Sequence, residues 1–249
     1  MSTIRPHKPV LTEKNLSSQA GKVCSLYCMV SGRNTDATRE VFIVTGASGG
    51  IGLELTKILY QHDARVYLAA RSESKTTEAI KRIEQAHPSS RGKLVFLRLE
   101  LDDLSTIKRS AEEFLTKESR LDVLWLNAGV MIPPQGSKTK QGHELQLGVN
   151  NLGHFLFVTV LQNVLESTAR IAPKASVRVI WVSSSTADSA PKPALDFENM
   201  DYHRDEGPWT KYGRSKAGNV IHCAEFVRRT QGTGIISLVS GPALGADVV

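Results

Sequence analysis

The sequence is poor in cysteine. Cys24, Cys28 and Cys223 are the only three in 249 residues, too few for a framework of several bridges. Cys24 and Cys28 have no second Cys or His pair to complete a zinc site, so free thiols in a reducing compartment are expected. His143 and His154 stand without a neighbouring cluster of ligands, and no metal is expected; His154 reads as a packing or helix-surface residue. Long apolar runs are missing too. Val23–Val30 is apolar but only eight residues long, so no membrane span is expected. The charged first 22 residues lack the apolar core of a signal peptide, and the expectation is a soluble, cytoplasmic protein. Aromatic residues make up only 6%, and no basic–aromatic platform accompanies the net charge of +6. That argues against a nucleic-acid partner.

What is present is a regular alternation. Residues 1–40 are polar, carry Pro6 and Pro9 and show no useful periodicity, which reads as an amino-terminal arm. From Val41 onward, short apolar runs alternate with stretches of helical spacing, so 41–249 reads as one domain. Strands are expected at VFIVTG, ARVYLAAR, KLVFLRLEL, LDVLWLNAG, Val177–Ser183 and GIISLVS. Helices are expected over 53–64, 74–85, 104–117, 142–169 with a bend near Gly153, and 211–229. Strands separated by helices of ten or more residues need right-handed crossovers. The fold class is therefore α/β, a doubly wound and mostly parallel sheet of the Rossmann-like kind.

The densest signal is Thr45-Gly46-Ala47-Ser48-Gly49-Gly50-Ile51-Gly52, between the first strand and its helix. Glycines there admit unusual backbone angles and close approach of a pyrophosphate, while the helix amino terminus offers free N–H groups. Gly46, Ser48, Gly50, Ile51 and Gly52 are thus candidate cofactor-binding residues. The second strand ends in Arg71, where an acid would bind both ribose hydroxyls in the common NAD arrangement. An arginine there suits a 2′-phosphate, and Lys75 is close enough in sequence to assist, so NADP(H) is the expected cofactor.

Five motifs in order then carry a resemblance. TGASGGIG, LNAG at Leu126–Gly129, VNNLGHF at Val149–Phe155, VSS at Val182–Ser184 and Tyr212-Gly213-Arg214-Ser215-Lys216 together resemble the short-chain dehydrogenase/reductase family. The likeness is strongest to its retinol-dehydrogenase-like and fungal light-induced-alcohol-dehydrogenase-like branch. It covers roughly Val41 to Ser240. The resemblance implies an oxidoreductase that interconverts an alcohol and a carbonyl on a small or moderately lipophilic substrate, and the fungal branch suggests secondary metabolism. By that likeness Tyr212 exchanges the substrate proton, Ser184 bonds the substrate oxygen, and Lys216 tunes Tyr212 and holds the nicotinamide ribose. Tyr212 and Lys216 lie four apart and share a helix face, and an ammonium beside a phenol should lower its pKa. Asn150 resembles the asparagine of a proton relay, and Asn127 one that steadies the cofactor region. Glu100-Leu101 stands where relatives often have Asp-Leu, which makes Glu100 the candidate adenine contact. The polar insert between Ser184 and Tyr212 reads as a substrate-rim loop. The likeness also leaves room for a homodimer.

Two departures bear on activity. GKV at Gly21–Val23 resumes as VFIVTG at Val41, so residues 24–40 look inserted. The sequence ends at Val249 where relatives continue into a substrate-covering segment, a seventh strand and a last helix, so the last strand and helix are expected to be lacking. A weakly active or inactive homologue that binds nucleotide or a partner without turnover is the second reading.

Overall fold

The computed structural model describes residues 40–241. The readings made for the arm up to residue 39, including most of the 24–40 insert, and for the stretch from Pro242 lie outside the described residues. Strands are β1 (Val41–Thr45), β2 (Arg65–Ala70), β3 (Lys93–Arg98), β4 (Val123–Leu126), β5 (Arg178–Val182) and β6 (Ile236–Ser240). Helices are α1 (Gly50–Gln61), α2 (Glu73–Ala86), α3 (Leu104–Lys117), α4 (His154–Ile171) and α5 (Pro208–Arg229).

The six strands form one sheet in the order β3-β2-β1-β4-β5-β6, and all five pairings are parallel. Residues alternate across it. Val41 and Ile43 of β1 join Phe114, Phe157, Leu161 and Trp181 in one core layer; Phe42 and Val44 join Leu55, Leu59 and Trp125 in the other. A strand covered on both faces has no polar side to offer, which is why VFIVT reads as a continuous apolar run. Helices supply the cover through single stripes. On α4 the buried positions are His154, Phe157, Val158, Leu161, Val164, Leu165 and Thr168, the spacing of one helical face. Helix α2 begins at Ser72, whose hydroxyl accepts from the Lys75 N–H, and α5 carries Pro208 at its start, where no N–H is needed.

The chain order reverses at β1, which has β2 on one side and β4 on the other. Crevices for ligands open at such a switch point, beyond the carboxyl ends of the strands. One expected element differs. The helix expected over 142–169 is a single α turn at Leu145–Leu147, a π-helical stretch at Gly148–Gly153 and then α4. The bend expected near Gly153 is therefore a widened turn. Gly153 packs so closely that a Cβ there would lie 2.7 Å from the Leu101 carbonyl oxygen. The strand expected through Leu101 also stops earlier, at Arg98, and Leu99–Leu101 run on as loop.

Candidate active site

A cavity of about 450 Å³ opens at the switch point. Its floor is the turn after β1, with Gly46, Ser48, Gly49 and Ile51 in its wall. Gly46 has φ +69°, a left-handed conformation, and a Cβ there would lie 2.9 Å from the Ala128 Cα. Only glycine meets both demands without strain. Gly52 lies behind the wall rather than in it. A Cβ at Gly52 would sit 2.6 Å from Asn127 Nδ2 and 2.7 Å from the Gly46 carbonyl oxygen, so its absence lets α1 close against the turn. Gly50 has φ +55° and faces open space; it shapes the turn without lining the cavity.

Arg71, Ser72 and Lys75 line the cavity where β2 ends. The Arg71 guanidinium lies 3.6 Å from the Asp102 carboxylate and keeps most of its side chain exposed. Asn127 lines the wall after β4 and donates from Nδ2 to the Thr45 carbonyl at 3.0 Å, which ties the β4 loop to the glycine turn. Glu100 is placed differently from the sequence reading. Its carboxylate accepts from Arg98 Nε at 2.9 Å, and it does not line the cavity. The loop that replaces the end of the expected strand sends Leu99, Leu101 and Asp102 to the wall instead.

At the far end the cavity meets a polar cluster. Gly129 lines the wall, and a Cβ on it would stand 3.1 Å from Asn150 Oδ1 and 3.5 Å from Lys216 Nζ. A bare backbone at this point brings the cavity wall against Asn150 and Lys216, which sit with Ser184 and Tyr212 at the ends of β5 and α5. Asn150 lies in the π-helical stretch and is fully buried. Its Oδ1 accepts from the Val130 N–H at 2.8 Å, and its Nδ2 donates to the Val130 carbonyl at 2.9 Å and to Ser215 Oγ at 3.0 Å. One amide thus clamps the β4 loop to α5 beside Lys216. Ser184, just beyond β5, accepts from the Thr186 N–H and hydroxyl, and its own hydroxyl is near enough to the Tyr212 phenol to favour the phenolate. Its neighbour Ser183 is buried and donates to the Lys216 carbonyl at 2.8 Å, so the two serines have distinct surroundings.

Electrostatics in the cluster run against the sequence expectation. Burial raises the Tyr212 pKa above its ordinary value, with the neighbouring Ser184 hydroxyl opposing. The Lys216 ammonium does not offset this. It lies 5.8 Å from the Tyr212 ring centroid, donates to the Val182 carbonyl at 3.0 Å, and is itself pushed down to about 8 by burial. A phenol held neutral is a proton donor at neutral pH, the form needed to protonate a developing alkoxide.

This lysine should weaken the fold. It binds its proton less tightly folded than unfolded, so the burial penalty is fully present below about pH 8 and fades as pH rises toward the unfolded lysine range. Lys216→Met should therefore raise stability at pH 7 by about 1–3 kcal/mol. The Val182 carbonyl keeps a partner, because Asn219 Nδ2 donates to it at 2.9 Å. Denaturant melts of both proteins at pH 7 and pH 9 check this; the gain should shrink at pH 9.

Several contributors were not singled out from the sequence. Gln146 is buried, accepts from the Ile132 N–H at 2.9 Å and donates to the Pro208 carbonyl at 3.1 Å, which links the β4 loop to the start of α5. Arg214, inside the Tyr–Lys motif, forms a two-pronged pair with Glu206 at 2.7 and 2.8 Å and also donates to the Pro193 carbonyl. It fastens the 185–207 insert to α5. Beside Tyr212, Trp209 packs edge-on at a centroid distance of 6.4 Å and is 60% exposed, while Met131 is exposed on the β4 loop. Among the described residues no group of three His, Cys, Asp or Glu could hold a metal ion, and no helix is long and apolar enough to cross a membrane.

Known proteins share this layout. The chain is 52% identical over 238 residues to the short-chain dehydrogenase/reductase pkfC of Emericella nidulans, covering 95% of this chain and 70% of that protein. It is 49% identical over 209 residues to a short-chain dehydrogenase/reductase of Phomopsis amygdali, covering 83% and 63%. The chain therefore spans about two thirds of the length of these relatives. Among solved structures, the Pseudomonas aeruginosa RhlG/NADP active-site complex shares the fold with a TM-score of 0.64 at 23% identity, over 83% of this chain and 75% of that one. Residues 40–193, from the lead-in to β1 through β5 into the insert, match the short chain dehydrogenase family. With that match, and with half of its residues shared with pkfC over nearly its whole length, the chain belongs to the short-chain dehydrogenase/reductase family.

Proposed function

We propose that the chain is an NADP(H)-dependent oxidoreductase that interconverts an alcohol and a carbonyl on a small or moderately lipophilic organic substrate. The observation that carries this reading is Gly129, a wall residue of the cavity on which a Cβ would stand 3.1 Å from Asn150 Oδ1 and 3.5 Å from Lys216 Nζ, so that cavity and cluster adjoin. The residues fit the cofactor: a glycine turn at a helix start for the pyrophosphate, with Gly46, Ser48 and Ile51 in the wall, and Arg71 and Lys75 for a 2′-phosphate. Asn127 would hold the loop against which the nicotinamide end rests, and Lys216 would reach the ribose. The RhlG complex, with NADP, shares this fold.

The nicotinamide, when bound, gives a hydride to the carbonyl carbon or takes one from the alcohol. Tyr212 supplies the proton to the carbonyl oxygen in reduction and accepts it in oxidation. Ser184, beside Tyr212, donates its hydroxyl to the same oxygen as negative charge builds there. Asn150 fixes the backbone around them. The exposed Trp209 ring beside Tyr212 favours a lipophilic substrate. The motif set favours the retinol-dehydrogenase-like and fungal light-induced-alcohol-dehydrogenase-like branch, and with it a role in secondary metabolism. Activity on a panel of aldehydes and ketones with NADPH tests the reading; cofactor binding with no hydride transfer to any of them would replace it with a nucleotide-binding role.

Cofactor choice follows from Arg71. NADPH should bind at least tenfold tighter than NADH, and Arg71→Ala should remove most of that difference while leaving the NADH affinity nearly unchanged. Fluorescence titration of both proteins with both cofactors checks it. Equal affinities in the parent would contradict the assignment.

A further inference from the structure

We infer that His154, which the reaction scheme above does not use, is a positioning residue that joins the cofactor turn to the catalytic cluster through one fixed imidazole tautomer. The first residue of α4 is fully buried, and both ring nitrogens have partners. Nδ1 lies 3.2 Å from the Asn150 carbonyl oxygen. A carbonyl only accepts, so Nδ1 carries the hydrogen. Nε2 lies 3.0 Å from Thr45 Oγ1. In a neutral ring with hydrogen on Nδ1, Nε2 has only a lone pair, so the Thr45 hydroxyl donates to it. That oxygen in turn accepts from the Ala128 N–H at 2.9 Å.

The bonds make one directed line: Ala128 N–H to Thr45, Thr45 O–H to His154, His154 N–H to Asn150. Each end sits at a working part of the site. Thr45 is the last residue of β1, one residue before Gly46, and its carbonyl holds Asn127. Asn150 clamps Val130 and Ser215. The backbone N–H of His154 bonds to the Asn151 carbonyl, so at Asn150 the ring Nδ1–H of His154 takes the role that its own backbone N–H would fill in a regular helix. Burial, with the Lys216 charge beside it and against the pull of the Asn150 hydrogen bond, holds the ring in its neutral form, as the line of donors requires. A phenylalanine here would fill the space and leave a buried hydroxyl and a buried carbonyl short of a partner.

The kinetic part of this inference rests on the proposed redox function; the structural part does not. The test has two arms on the whole chain. In the first, nitrogen-15 NMR of the parent at neutral pH, with the His154 signals assigned by their loss in His154→Gln, should show a pyrrole-like Nδ1 and a pyridine-like Nε2. The opposite tautomer, or a charged ring, overturns the inference whether or not any carbonyl is reduced. In the second arm, Thr45→Val, Thr45→Ser, His154→Phe and Thr45→Val/His154→Phe are compared for thermal stability, NADPH affinity and single-turnover hydride transfer at saturating NADPH. Thr45→Val should slow transfer about tenfold. Thr45→Ser, which restores the hydroxyl, should recover the parent rate, and the double variant should be little slower than His154→Phe alone. Lower melting temperatures with parent rates per folded molecule, or fully additive losses, would make His154 a packing residue only. Should His154→Phe not fold, the serine and valine variants and the NMR arm still decide. If the parent reduces no carbonyl, the proposed function falls, and the tautomer and NADPH affinities decide the link by themselves.

Discussion

Tyr212→Phe should lower the rate of hydride transfer by 10²- to 10⁴-fold while leaving the NADPH dissociation constant within about threefold of the parent. The ring packs against Trp209 and lies half-buried beside Lys216, and phenylalanine keeps that packing. What goes is the oxygen beside Ser184 that exchanges the substrate proton. The pH behaviour of the parent adds a signature. Burial raises the Tyr212 pKa, so the phenol keeps its proton through neutral pH, and carbonyl reduction should stay level there. Alcohol oxidation needs the ionised form and should rise with pH over the same range. Pre-steady-state transfer at saturating cofactor, followed across pH for both proteins, measures this. A folded Tyr212→Phe that transfers hydride at the parent rate would remove Tyr212 from the mechanism.

Gly52→Val should abolish cofactor binding for a steric reason. A Cβ at this position meets Asn127 Nδ2 at 2.6 Å and the Gly46 carbonyl at 2.7 Å, and the second of these is backbone that cannot swing away. The helix must then move off the turn, taking Gly49 and Ile51 out of the cavity wall and breaking the Asn127 bond to Thr45. A loss of at least 100-fold in NADPH affinity is expected, with overpacking costing about 1–3 kcal/mol of stability. Gly52→Ala should show the same direction with a smaller effect. Titration calorimetry with NADPH, together with denaturant melts, separates the two losses. Unchanged affinity in a folded Gly52→Val would mean that the close approach of α1 is dispensable.

The parallel sheet was legible because its strands are apolar throughout and its helices show one buried stripe. The glycine turn was legible because few sequences place so many glycines between a buried strand and a helix. What escaped depended on distance in space. The reading of Glu100 assumed that a strand continues to Leu101; the chain leaves the sheet at Arg98, and Asp102 reaches the cavity instead. The lowered phenol pKa was inferred from an i,i+4 spacing, which fixes a helix face but neither burial nor the ammonium's other partner. In the fold Lys216 donates to Val182, and burial dominates at Tyr212. His154 looked idle because neither partner shows from its place in the sequence: Thr45 lies 109 positions away, and the Asn150 carbonyl, four residues back, would in a regular helix take the backbone N–H of His154, which bonds to Asn151 instead. Arg214 sat inside a motif read for other residues and Gln146 just ahead of one, and their partners Glu206 and Pro208 become neighbours only when the insert and the start of α5 fold into place.

The central claim is that this chain moves a hydride between a nicotinamide and a carbonyl carbon. Its most direct test is a single-turnover reaction of the purified chain with NADPH carrying deuterium at the transferable position and a lipophilic ketone, with the product read by mass spectrometry and NMR. The account predicts deuterium on the carbinol carbon, formed by the parent and slowed by at least 10²-fold in Tyr212→Phe. NADPH that binds tightly yet leaves deuterium on no carbon across a panel of aldehydes and ketones would contradict it.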